Sequence, residues 1–127
     1  MKEEVNILIV EDNTTNMRVL MDFLGDKGYN FLMAQDGAKG VKVALRRKPD
    51  LILLDINLPE ISGYDVCKTL RQHEEIKDTP IVFMSALSRN EAQHLTAEAG
   101  GDDYLPKPFQ KSEVLEIVET HLNRSKS

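Results

Sequence analysis

Three carboxylates, a hydroxyl and an ammonium each stand directly after a short apolar run. Glu11 and Asp12 follow ILIV, Asp55 follows LILL, Ser85 follows IVFM, and Lys107 follows DDYLP. Acids gathered in one small site repel one another, and some would hold protons unless a cation intervened. An all-oxygen set without histidine or cysteine selects a hard divalent ion, Mg²⁺ by availability, with Mn²⁺ as the second choice. Zinc fits poorly, because His73, His94 and His121 fall in helical segments or at their ends. A carboxylate is already nucleophilic at neutral pH and needs no general base to accept a phosphoryl group. What remains is to position and neutralise the phosphoryl oxygens, for which a divalent ion, a lysine and a hydroxyl are suited. Asp55 is the expected acceptor. It stands alone after the central run, while Glu11 and Asp12 pair as metal ligands.

Those residues can meet only if the runs before them share a sheet. The runs VNILIV (5–10), NFLMA (30–34), LILL (51–54), IVFM (81–84) and, more weakly, DDYLP (102–106) read as strands. Amphipathic segments alternate with them. Met17, Leu20, Met21 and Leu24 follow helical spacing, with Gly28 placed as a helix C-terminal glycine. Val41, Ala44 and Leu45 mark a second helix, Val66, Cys67 and Leu70 a third, and Ala92, Leu95 and Ala99 a fourth. Val114, Leu115, Val118 and Leu122 mark the last. Strands alternating with helices predict right-handed crossovers and a mostly parallel sheet covered on both faces. The unbroken apolar character of ILIV, LILL and IVFM fits strands buried on both sides. In such a sheet all strand C-termini lie along one edge, where ligands bind.

Taken singly, each polar residue has an ordinary reading. Glu11-Asp12-Asn13 could cap the helix from Thr14, and Asp55 could form an Asx-turn before Leu58-Pro59. Ser85 could cap the segment from Arg89, and Lys107 could be a solvated surface lysine. Four strand ends delivering complementary groups to one edge are far less easily dismissed, and the site reading prevails.

Composition bounds the rest. The chain has 127 residues, and one domain spanning 1–127 is expected, with residues 123–127 as a frayed tail. No apolar run approaches the ~20 residues of a membrane span. The opening MKEEVN lacks a secretion-signal pattern, and the single cysteine, Cys67, offers no internal disulfide, so a cytoplasmic location is expected. A net charge of −5 argues against nucleic acid as the main partner. The basic cluster Arg46, Arg47 and Lys48 reads as a solvated helix end. Val19, Phe23 and Ile117 read as ordinary core breadth, the alternative being a partner surface on the first or last helix.

The motifs LIVEDN (8–13), PDLILLDINLPEISG (49–63), MSA (84–86) and GGDDYLPKPF (100–109) together resemble the receiver domains of two-component response regulators. The resemblance runs from Val5 to Leu122. It implies a flavodoxin-like, doubly wound (βα)5 fold with a five-stranded parallel sheet in the order 2-1-3-4-5. It also implies that Asp55 takes phosphate from a phosphohistidine of a histidine kinase or a histidine phosphotransfer protein. Asp12, Asp55 and the backbone carbonyl of Asn57 would hold Mg²⁺, with Glu11 acting through water. Lys107 would contact the phosphate, held by a cis peptide to Pro108. Ser85 would move toward the phosphate, and Tyr104 is the aromatic switch position. The switched surface would be the face of helix 4, strand 5 and helix 5, where a downstream effector would bind. Pro106 departs from the pattern and removes a donor just before Lys107. Only a short tail follows the last helix, so no output domain is expected; the chain would be a signalling switch, not an enzyme, with self-catalysed loss of the phosphate as an accompaniment. Monomer or weak dimer is expected. The Glu-Asp-Asn opening with Asn16 further resembles stand-alone cell-division regulators and receivers of hybrid histidine kinases.

Two rivals share parts of this pattern. A metal-dependent phosphohydrolase that forms an aspartyl phosphate would need a second acid two residues after the nucleophile, where this chain has Asn57. A flavodoxin-like flavin protein would need a glycine- or hydroxyl-rich phosphate loop after the first strand, where this chain has Glu11 and Asp12.

Overall fold

The computed structural model describes residues 4–126, with side chains through residue 123. Five strands alternate with five α-helices: β1 (Asn6–Val10), α1 (Thr14–Leu24), β2 (Asn30–Ala34), α2 (Gly37–Arg47), β3 (Leu51–Asp55), α3 (Gly63–Arg71), β4 (Ile81–Ser85), α4 (Arg89–Ala99), β5 (Asp103–Pro106) and α5 (Lys111–Lys126). Every strand pairing is parallel, and the order across the sheet is β2-β1-β3-β4-β5. This is the doubly wound architecture that the alternation predicts. The frayed tail expected over 123–127 falls largely outside the described side chains, while the backbone of α5 runs to Lys126.

The sheet separates two cores. Leu8, Val10, Ile52, Leu54 and Phe83 face one way with Ala44, Val66, Leu70 and Ala99. Ile7, Ile9, Leu53, Val82 and Met84 face the other with Met17, Leu20, Val114 and Val118. The alternation along each strand assigns the faces, and β3 and β4 are buried at every position because both faces are covered. Phe23 and Ile117 pack against the second core. On α4 the buried stripe is Ala92, Thr96 and Ala99, with Leu95 half-buried beside it.

Several boundaries differ from the sequence reading. Helix α1 stops at Leu24, where Gly25 interrupts it, and a 3-10 turn over Gly25–Lys27 carries the chain to Gly28, which is left-handed at φ 76°. Gly28 therefore closes that turn and not α1 itself. Helix α4 is capped by Ser88, whose side chain accepts from Glu91 N–H, so Ser85 is not its cap. Strands β3 and β4 each extend one residue past their apolar runs, to Asp55 and Ser85. The chemistry-bearing residues are thus the last rungs of the ladder, held by sheet hydrogen bonds.

Candidate functional site

The C-terminal edge of the sheet positions each candidate side chain by a different local device. Glu11 continues the β1 ladder by donating its N–H to Ala34 O at 3.0 Å, and its side chain is 1% exposed. Asp12, one residue on, is exposed. Asn13 then caps α1, accepting from Asn16 N–H at 2.9 Å, while its own N–H donates to Glu11 Oε2 at 3.2 Å. The ordinary capping role therefore belongs to Asn13, leaving both acids free for other work.

Asp55 ends β3 and is buried. Its Oδ1 accepts from Asn57 N–H at 3.2 Å and from Lys107 Nζ at 3.1 Å. An Asx-turn and a site carboxylate are here the same residue. Gly63, opening α3, donates its N–H to Ile56 O at 3.0 Å, and a Cβ there would fall on the Asp55 carbonyl oxygen. That contact presses the start of α3 against the end of β3.

Lys107 reaches the site because Pro106 completes the pairing of β5 with Ser85 and the Lys107 N–H then donates to Ser85 O at 2.8 Å. The donor that Pro106 lacks is supplied one residue later. The Lys107–Pro108 peptide is cis. Ser85 is buried, and its Oγ accepts from Leu87 N–H at 2.9 Å. Tyr104 lies half-buried on β5 and packs against the first core. It also borders a groove of about 240 Å³ together with Arg89, Gln93, Glu113 and Ile117 from α4 and α5.

Electrostatically the site is unbalanced. Carboxylate oxygens of Glu11, Asp12 and Asp55 all lie within 4.8 Å of one another. Glu11 Oε1 is buried with no hydrogen bond, and its ionic neighbour is Lys107 Nζ at 3.4 Å. Burial, followed by the proximity of Asp55, pushes the Glu11 carboxyl up to about 7 despite the opposing Asn13 N–H and Lys107. One ammonium is not enough for three acids. An orphaned buried oxygen in an all-oxygen set is what a hard cation would complete. The three histidines stand apart from this edge: His73 precedes a short 3-10 turn, His94 lies on α4, and His121 on α5 pairs with Asp103 at 2.9 Å.

The family described as the response regulator receiver domain matches residues 7–119. The chain is 41% identical over 119 residues to the transcriptional regulatory protein YxdJ of Bacillus subtilis, covering 94% of this chain but 51% of that protein. It thus spans about half the length of that relative. It is 31% identical over 117 residues to the polar-differentiation response regulator DivK of Brucella anthropi, covering 92% of this chain and 95% of that protein. Among solved structures, the receiver domain of a sensor histidine kinase from Pseudomonas aeruginosa, with magnesium coordinated in its active site cleft, superposes with a TM-score of 0.86 at 32% identity. That match covers 94% of this chain and 98% of the other. No helix among the described residues is long and apolar enough to cross a membrane.

Proposed function

The chain belongs to the response regulator receiver family, and from that premise we propose that it is a two-component switch whose Asp55 accepts a phosphoryl group from a phosphohistidine. The observation that carries this reading is the placement of Asp55: a buried strand-end carboxylate 3.1 Å from Lys107 Nζ, with Glu11 and Asp12 beside it. Two donors occupy Oδ1, which leaves Oδ2 to attack phosphorus. The new bond is Oδ2–P, the N–P bond breaks, and the imidazole of the donor keeps the electron pair and takes up a proton. Lys107, already at Asp55, would turn its ammonium to the incoming phosphoryl oxygens. Ser85 would exchange its contact with Leu87 N–H for donation to the phosphate.

Glu11 through water, Asp12, Asp55 and the Asn57 carbonyl would hold Mg²⁺, or Mn²⁺ in its place. Bound there, the ion neutralises phosphoryl charge that one lysine cannot balance. The orphaned Glu11 oxygen and its raised pKa support this donor set.

The output would be a shift of the α4–β5–α5 face. Movement of Ser85 vacates space near Tyr104, whose ring would turn inward and reshape the groove beside Gln93 and Ile117. The donor would be a histidine kinase or histidine phosphotransfer protein and the reader a downstream effector. Slow self-hydrolysis of the acyl phosphate would end the signal. The Glu-Asp-Asn opening with Asn16 supports a cell-division role in the cytoplasm, and the likeness to the polar-differentiation response regulator DivK covers 95% of that protein.

The test is phosphotransfer from a phosphorylated histidine kinase or phosphotransfer protein, with Mg²⁺ and with a chelator. Label should appear only with the ion, and be absent from Asp55→Asn. Equal labelling of Asp55→Asn would sink the proposal, and hydrolysis of an added phosphomonoester would favour the phosphohydrolase instead.

A further inference from the structure

The sheet edge opposite β5 carries a feature that phosphoryl transfer does not use. β2 is the outermost strand there. It bonds to β1 through alternate residues: Asn30 N–H donates to Val5 O at 2.8 Å, and Ala34 O accepts from Glu11 N–H at 3.0 Å. The alternation of a parallel strand then turns the N–H and C=O of Phe31 and Met33 outward. Among the described residues nothing hydrogen-bonds to them. Met33 is also the one large hydrophobic residue that is exposed among the described residues, at 47%.

Between this edge and α2 runs a groove of about 390 Å³. Leu32 and Val43 give it an apolar floor on the face that α2 covers, and Phe31 and Met33, whose side chains alternate to the opposite face, line it from the outer strand. Lys39, Lys42, Arg46 and Arg47 form its rim, spaced so that α2 presents them on one side. All four are exposed, and none makes an ion pair among the described residues. In a chain of net charge −5 this is a local reversal of sign. The reading of Arg46 and Arg47 as a solvated helix end accounts for the helix dipole but not for the apolar floor.

Charges near a sheet edge can serve only to repel stray strands. Edge protection of that kind places lysine or proline on the strand itself, and NFLMA has neither. Here the strand stays uncharged and pairing-competent, while the cations stand on the neighbouring helix. We infer that the β2–α2 groove is a docking site for an acidic extended segment of a partner protein. The segment adds as a strand along Phe31–Met33 and lays its carboxylates against Lys39, Lys42, Arg46 and Arg47. Backbone pairing provides the register, and the rim selects for acidic side chains. A nucleic-acid strand would satisfy the rim but not the outward N–H and C=O groups.

The probe is a capped peptide of about six residues alternating valine and glutamate, the length of an ordinary strand. It is titrated into the ¹⁵N-labelled full chain at low and high salt. Shifts and slowed amide exchange should centre on Phe31 and Met33. Binding should weaken roughly tenfold in the Lys42→Glu, Arg46→Glu double variant and again with added salt. Both positions are exposed, and an unchanged thermal melt would confirm that the variant folds. Backbone N-methylation of the peptide at alternate residues should abolish binding. The idea is overturned if a valine–lysine peptide binds as well, if the N-methylated peptide binds unchanged, or if exchange at Phe31 and Met33 is unaffected. Tighter binding of a short oligothymidine at the same groove would overturn it in favour of a nucleic-acid surface.

Discussion

Lys107 Nζ lies 3.1 Å from Asp55 Oδ1 while its other acidic neighbour, Glu11 Oε1, is 3.4 Å away. A single ammonium on the loop after β5 thus serves two buried carboxylates from β1 and β3. The arrangement ties three strand ends together electrostatically, and it leaves the site short of positive charge. Both facts have measurable consequences.

Removing the ammonium should cost more than one contact. In Lys107→Met the two carboxylates lose their shared counter-ion, and the buried Glu11 oxygen, which has no hydrogen bond, is left beside other acids without a cation. In chelator at about pH 8 the variant should be less stable by ~2 kcal/mol, since breaking a buried pair leaves uncompensated charge. The loss should shrink near pH 5, where Glu11 carries a proton. Urea denaturation at the two pH values checks this, and an equal loss at both would refute the electrostatic account.

Glu11→Gln should do the opposite. The folded-state pKa of Glu11 is raised from 4.5 to about 7, so the folded protein binds that proton more tightly than the unfolded chain. Stability therefore falls as pH rises between those two values, and the penalty is complete above the upper one. Without divalent ion the Gln variant should be more stable than the parent by ~2 kcal/mol near pH 8, and no more stable near pH 4. Added Mg²⁺ should erase the advantage by stabilising the parent selectively. Melting curves across pH, with and without the ion, measure both effects.

Period and punctuation made much of this legible. Unbroken apolar runs identified β1, β3 and β4, and the residues after them marked the edge where Glu11, Asp12, Asp55, Ser85 and Lys107 gather. Sequence spacing could not show which of the adjacent acids is buried, because that depends on the chain bending toward the Asn13 cap. Nor could it find Gly63 pressed on the Asp55 carbonyl, a contact made by folding α3 back over β3. The β2–α2 groove was equally hidden. Arg46 and Arg47 are remote in sequence from Met33, and only the fold sets them along one edge.

Arg71 illustrates a long-range device with no local signature. From the end of α3 its guanidinium donates to Gly100 O at 2.9 Å, Lys77 O at 2.8 Å and Thr79 O at 2.7 Å, and it pairs with Asp102 at 2.8 Å. Asp102 in turn accepts from Ile81 N–H at 2.8 Å. Arg71→Lys keeps the charge but cannot reproduce the planar fork, so a loss of about 2 kcal/mol is expected. Phosphoryl acceptance should persist at permissive temperature, because this cluster lies at the sheet end away from Asp55. Loss of labelling in a variant shown to be folded would contradict that separation.

Ser85→Ala separates stability from signalling. The substitution removes the acceptor for Leu87 N–H, which should cost about 1 kcal/mol. Asp55 should still take phosphate, but the Tyr104 ring signals should respond to phosphorylation less than in the parent. Ser85→Thr keeps the hydroxyl and should restore the response. A full Tyr104 response in Ser85→Ala would remove Ser85 from the switch.

Gly63→Ala tests whether the geometry of β3 or merely its composition makes the site. The added Cβ would sit on the Asp55 carbonyl oxygen and 2.8 Å from Ile56 Cα, both backbone atoms that cannot rotate aside. Either α3 lifts or the end of β3 shifts, at a cost of about 3 kcal/mol. Asp55 would move with its own carbonyl, so Mg²⁺ affinity should fall roughly tenfold even though no ligand changes. Gly25→Ala is the matched control. Its Cβ meets nothing within 4 Å, and its φ of −64° suits any residue, so stability should hold or rise by about 0.5 kcal/mol. If both variants bind Mg²⁺ like the parent while only Gly63→Ala is destabilised, the packing of α3 on β3 supports the fold but does not position Asp55.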